Sequence, residues 1–149
     1  MTKHPNLTTY ESKMKKLLEN DIIGSISTQL YRCTIQWRNG QMVMDEPESL
    51  GGQDLGPDPY TTLLASLAGC TLSTLRMYID RKGWDVPVFA VTLNMEQEQT
   101  PALVTHISRV ITFPDGVDQE IQQRLLVIAE KCPVSKILEN KIEIHTKTA

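Results

Sequence analysis

The clearest pattern along this chain is the stretch from Leu63 to Leu75, which carries only apolar, small or hydroxyl side chains. Asp58 stands ahead of it as an N-cap and Pro59 as a first-turn proline, so the pattern predicts a helix running to about Arg81, before Gly83. A helix apolar on nearly every side is normally buried in the centre of a protein. A second helix is predicted after Asp118, where Ile121, Leu125, Ile128 and Cys132 recur on one face. Pro133 disfavours helical geometry at the residue before it, which puts Cys132 at or near the helix end. Residues 10–18 predict a short amphipathic helix with Tyr10, Met14, Leu17 and Leu18 inward.

Alternation predicts the strands. Tyr31, Cys33, Ile35 and Trp37 fall on one face and Arg32, Thr34 and Gln36 on the other, with Asn39-Gly40 as a two-residue turn into Gln41–Met44. Residues 45–57 are rich in turn formers and read as a loop. Phe89, Val91, Leu93 and Met95 mark a third strand, residues 103–113 a fourth, and Ile142 with Ile144 a last one. Strands, long helix, strands, helix, strand is the order of an α+β domain.

Composition narrows the class. The chain has 149 residues, 40% hydrophobic and 22% charged, which fits one soluble globular domain. A formal net charge of −3 argues against nucleic-acid binding. The lysine-rich stretches Lys13–Lys16 and Lys131–Lys141 are interrupted by apolar residues and read as solvated faces. No signal-peptide pattern opens the sequence and no apolar run spans a bilayer, so a cytoplasmic protein with no membrane partner is expected. Three cysteines in that setting are expected as free thiols.

Cys70 and Cys132 are the candidate chemistry. By spacing alone, such a pair is more often core packing than catalysis, and Cys33 fits the packing role well. Burial in an apolar helix would raise the pKa of Cys70, which lies too far into its helix to gain from the N-terminus. A reactive Cys70 therefore needs a cation or donor from elsewhere. Arg32 and Arg38 are the candidates; Arg76 is turned away on the same helix. His4, His106 and His145 are scattered, so neither a metal site nor a histidine-based hydrolase is expected.

Several blocks carry a family resemblance. They are Asp45 to Gly52, Gly56-Pro57-Asp58-Pro59-Tyr60, Leu63 to Thr71, Leu75 to Tyr78 with Arg81 to Trp84, and Ala129-Glu130-Lys131-Cys132-Pro133-Val134. Together they closely resemble the OsmC/Ohr family over about residues 28–147, as an OsmC-like member rather than an organic hydroperoxide resistance protein proper. The resemblance implies one OsmC-like domain over residues 1–149, with 1–27 a helical extension and lead-in. It implies antiparallel sheets with two central helices, in an intertwined homodimer with active sites at the subunit interface. It also implies a thiol-dependent peroxidase for organic hydroperoxides, with Cys70 peroxidatic, Cys132 resolving, an external dithiol as reductant and no cofactor. Tyr60, Leu64 and Leu67 would contact the substrate.

One position departs from that family. Its better-studied members carry a glutamate nine or ten residues before the helix cysteine, paired with an activating arginine. Tyr60 and Thr61 stand there instead. Glu46 and Glu48 are the alternative acids, and Arg38 the candidate catalytic cation. Without that acid, a dimeric binding protein for a hydrophobic or sulfur-containing small molecule is the alternative reading.

Overall fold

The computed structural model describes residues 14–149. They form two units, divided between Pro59 and Tyr60.

The first unit holds a three-stranded antiparallel sheet in chain order: β1 (Ile23–Ile26), β2 (Cys33–Trp37) and β3 (Gly40–Met44). β1 was not expected, since its four residues are too few to show a period. The β2–β3 turn is Arg38-Asn39, one residue earlier than Asn39-Gly40, because Gly40 already pairs with Trp37. The Trp37 indole lies against Gly40, where a Cβ would sit 2.6 Å from the ring. After β3 the chain enters the expected loop, with one 3-10 turn at Glu48–Leu50. Asp45 anchors that loop. Its buried carboxylate accepts from the backbone N–H groups of Glu46, Gln53 and Leu55 at 2.9, 3.2 and 3.3 Å.

The expected helix over residues 10–18 fails where it can be seen. Residues 10–13 lie outside the described part, and residues 14–18 are irregular, with Met14, Leu17 and Leu18 exposed. So short a segment gains too little from backbone bonds alone and needs a packed face to stay helical.

The second unit is built on α1 (Pro59–Lys82), which ends where expected. At its C-terminus the Trp84 N–H bonds Ile79 O and the Gly83 N–H bonds Asp80 O, the pairing that closes a helix on a left-handed residue. Next come β4 (Ala90–Glu98) and β5 (Val104–Thr112), one antiparallel ribbon, then α2 (Gln119–Ala129) and α3 (Pro133–Leu138). Asp118 caps α2 by accepting from the Glu120 N–H at 2.7 Å.

The core of this unit lies between α1 and α2. Leu75 and Ile79 meet Leu125, Ile128 and Ala129, with Val86 beneath and Phe89, Ile111 and Phe113 from the ribbon alongside. Only one stripe of α1 is buried: Leu67, Thr71, Leu75 and Ile79, at successive four-residue steps. The expectation of burial on nearly every side is therefore not met within one chain. By length and composition α1 could cross a bilayer. It is instead a core helix, its stripe packed and its Arg76 bonded to the carbonyls of Val86 and Pro87 at 2.9 and 3.0 Å.

The expected strand at Ile142 and Ile144 is irregular chain, both side chains exposed. A strand needs a hydrogen-bonding neighbour, and none pairs with it among the described residues.

Candidate functional site

The second unit brings Cys70 and Cys132 together. α1 carries Cys70 beside its buried stripe, while α2 delivers Cys132 just past its far end. Pro133 then opens α3, so that Cys132 becomes the N-cap residue with extended backbone at φ −56° and ψ 133°. α2 itself stops at Ala129, so Cys132 sits near the end of one helix, as the sequence predicts, and Pro133 opens a second helix that the sequence does not reveal.

The two free thiols are near enough for each to shift the other's acidity. The pair is asymmetric. Cys132 is fully buried and Cys70 only half-buried. Burial raises the pKa of Cys70, and Cys132 raises it further, against the Val134 N–H and the Thr74 hydroxyl. Burial is also the largest influence on Cys132 and pushes it up. Cys70, Ser135 and Val134 outweigh that, and its pKa is lowered. One negative charge shared by the pair is therefore held preferentially on Cys132.

A cation, one that the sequence analysis did not single out, is bonded to residues that flank this pair. Arg109 lies on β5 between Ile107 and Ile111, in the register that faces inward. Its Nη1 donates to Thr71 Oγ1 at 3.0 Å and to Ser135 Oγ at 2.9 Å. Both acceptors are buried, Thr71 next to Cys70 and Ser135 three residues after Cys132. Arg109 makes no ion pair among the described residues. It borders a cavity of about 210 Å³ with Leu67, Thr105, Ile107, Ser135 and Leu138. A charge in the inward register of an apolar strand was the signal that sequence reading passed over.

The other expected residues are placed as follows. Arg38 is exposed in the β2–β3 turn and pairs with Glu19 at 3.7 Å; Arg32 bonds Gln29 at 3.4 Å. Leu67 borders the cavity, Leu64 is half-buried, and Tyr60 is exposed in the first turn of α1. Cys33 belongs to the first unit, its thiol donating to Tyr31 O at 3.4 Å. Among the described residues, no three His, Cys, Asp or Glu side chains converge as a metal site.

A family model described as OsmC-like protein matches residues 51–147, from the loop before α1 to near the C-terminus. The chain belongs to the OsmC family. None of the curated proteins compared with it matches. Among solved structures, an organic hydroperoxide resistance protein from Elizabethkingia anophelis is similar at 23% identity and TM-score 0.65, over 87% of this chain and 94% of that one. Another, from Legionella pneumophila and named OsmC, matches at 19% identity and TM-score 0.62, over 83% and 91%. An OsmC-like protein from Mycoplasma pneumoniae matches at 20% and 0.64, over 85% and 89%. At these identities the likeness establishes the OsmC fold: small antiparallel sheets with few helices. The family assignment itself rests on the matched sequence.

Proposed function

We propose that this OsmC-family protein is a thiol-dependent peroxidase that reduces organic hydroperoxides, with Cys70 peroxidatic and Cys132 resolving. The observation that carries this reading is the closeness of two free thiols, one on α1 and one at the start of α3. Of the two, only Cys70 has exposed surface for a substrate to meet.

The steps balance. A proton shift from Cys70 to Cys132 gives the Cys70 thiolate, which attacks the hydroperoxide oxygen. The O–O bond breaks, Cys70 becomes a sulfenic acid, and the alkoxide leaves as the alcohol after taking a proton. Cys132 then attacks the Cys70 sulfur, the S–O bond breaks, and the hydroxide leaves as water with the proton that Cys132 held. An external dithiol reduces the disulfide and is itself oxidised. The apolar side chains of α1 that neighbour Cys70, Leu67 among them, favour an organic hydroperoxide over hydrogen peroxide. A homodimer in the cytoplasm completes the reading.

The test is turnover of cumene hydroperoxide with dithiothreitol as reductant, set against hydrogen peroxide. The Cys70→Ser protein should be inactive. The Cys132→Ser protein should consume about one equivalent and then accumulate over-oxidised Cys70, visible by intact mass. Undiminished turnover in Cys70→Ser, or none in the unaltered protein, would overturn the proposal. A raised Cys70 thiol, with Tyr60 and Thr61 where the family has its acid, favours a second reading: a small-molecule binding protein with little turnover. It predicts ligand protection of Cys70 from alkylation and no peroxide consumption.

A further inference from the structure

We propose that Arg109 is the positioning residue for the resolving half of this reaction: through Ser135 it aims a hydroxyl donor at Cys132, and through Thr71 it ties that turn to the helix carrying Cys70. The proposal rests on the peroxidase reading for its place in catalysis, but on geometry alone for its effect on the thiol pair.

The bonding of each hydroxyl fixes its direction. Ser135 Oγ accepts from Arg109 Nη1 at 2.9 Å. Its own O–H is therefore free to donate, and Cys132, one turn back at the start of the same helix, is the acceptor we assign to it. Thr71 Oγ1 accepts from the same Nη1 at 3.0 Å and donates to Leu67 O at 2.8 Å, so its capacity is filled within α1. The guanidinium thus reaches one cysteine through a relay and the other helix through a strut.

A half-buried guanidinium without a carboxylate raises a question of compensation. Burial of a charge is costly unless an opposite charge or good acceptors meet it. Two neutral hydroxyls meet Arg109, Glu139 shares its cavity without pairing with it, and beyond Ser135 lies Cys132, whose ionised form the guanidinium would favour. A polarised Ser135 O–H is a stronger donor, which favours that thiolate. The resolving thiol attacks as thiolate, so the relay acts on the step in which the sulfenic acid is captured before a second peroxide reaches it.

The other titratable groups around Cys132 are Cys70 on α1, Glu139 just past α3, and the exposed Glu130, Lys131 and Lys136. Glu139 borders the cavity with Arg109 and so opposes its effect. On β5, His106 has the outward register and pairs with Glu98 at 3.5 Å.

The experiment uses the full chain with Cys33→Ser, so that only the pair reacts. Diamide, a diazene that takes two electrons and two protons from a dithiol, closes the disulfide without any peroxidase activity. Closure at neutral pH should slow by about tenfold for each unit by which the Cys132 pKa rises. We expect that slowing in Arg109→Gln and in Ser135→Ala. In a Cys70→Ala background, ultraviolet thiolate absorbance should show the Cys132 midpoint moving up in both variants. The double variant should go no further than the larger single one, while Thr71→Val leaves the midpoint in place.

Unchanged midpoints in Arg109→Gln and Ser135→Ala would overturn the proposal, as would equal shifts in Thr71→Val. Should Arg109→Gln not fold, Arg109→Lys, which keeps the charge but not the fork that reaches both hydroxyls, is read against Ser135→Ala, and an unmoved midpoint in Arg109→Lys beside a moved one in Ser135→Ala would overturn the role of Arg109. A protein that passes these measurements yet consumes no hydroperoxide would sink the peroxidase reading and leave the role of Arg109 standing. Peroxidase turnover with unmoved midpoints would do the reverse.

Discussion

Each thiol of the pair shifts the acidity of the other. Cys70 is held up first by burial, then by Cys132, which favours its protonated form and repels its thiolate. Removing Cys132 takes away both of those last influences and leaves burial, the Val134 N–H and the Thr74 hydroxyl. The expected outcome in Cys132→Ala is therefore a fall in the Cys70 pKa toward the ordinary thiol value. A lower pKa means more thiolate at neutral pH, so the first reaction with alkylating agent or peroxide should quicken while recycling stops. The sign matters, because a resolving cysteine is usually described only by what is lost without it. Rates of Cys70 alkylation measured across pH check it: a midpoint that stays put or climbs would mean that the two thiols do not titrate as a pair.

Among the elements, the loop between β3 and α1 is as well organised as any helix. Asp45 satisfies three backbone N–H groups from inside it, and a Cβ at Gly52 would run into the Glu46 carbonyl. Asp45→Ala would leave those part-buried donors without their acceptor, at a cost of up to ~1–3 kcal/mol. The expected result is a lower denaturation midpoint and faster amide exchange over residues 46–55, with α1 and α2 still protected at first. Equal exchange in the two proteins would reject the anchoring role. The sequence declared this segment a loop but said nothing of its anchor, since an aspartate among turn residues looks the same whether it faces in or out. Elements with long periods or strong caps were legible: α1 with its Asp58-Pro59 start, α2 behind Asp118, and β4 and β5 by alternation. β1 and α3 were too short to show a period, and Ile142–Ile144 alternates without a neighbour to pair with. The cysteine pair could be located only through the family resemblance, because a separation of 62 positions carries no distance information. Arg109 was open to physical reasoning all along, as the one charged residue in a strand's inward row.

For the whole molecule, the open face of α1 is the feature a single chain leaves unexplained. Leu63, Ser66, Gly69, Ser73 and Met77 follow one another at three- and four-residue steps, uncharged and exposed. Small residues between two larger apolar ones let another helix approach closely, and a strip of this kind on a 24-residue helix is a surface made for covering. The homodimer proposed above would cover it with its own copy, since a two-fold interface puts the same patch on both sides. Gly69 separates this reading from a merely apolar surface. Within one chain a Cβ there meets nothing within 4 Å, so Gly69→Arg costs the isolated fold nothing by contact. It should even help the helix by up to about 1 kcal/mol, the usual penalty for an interior glycine. Against a packed partner helix the same change brings steric overlap and a buried charge. Sedimentation equilibrium should therefore find a dimer for the unaltered chain and a folded monomer, with undiminished helicity, for Gly69→Arg. A Gly69→Arg protein that still sediments as a dimer would show that this face of α1 is not where two copies meet.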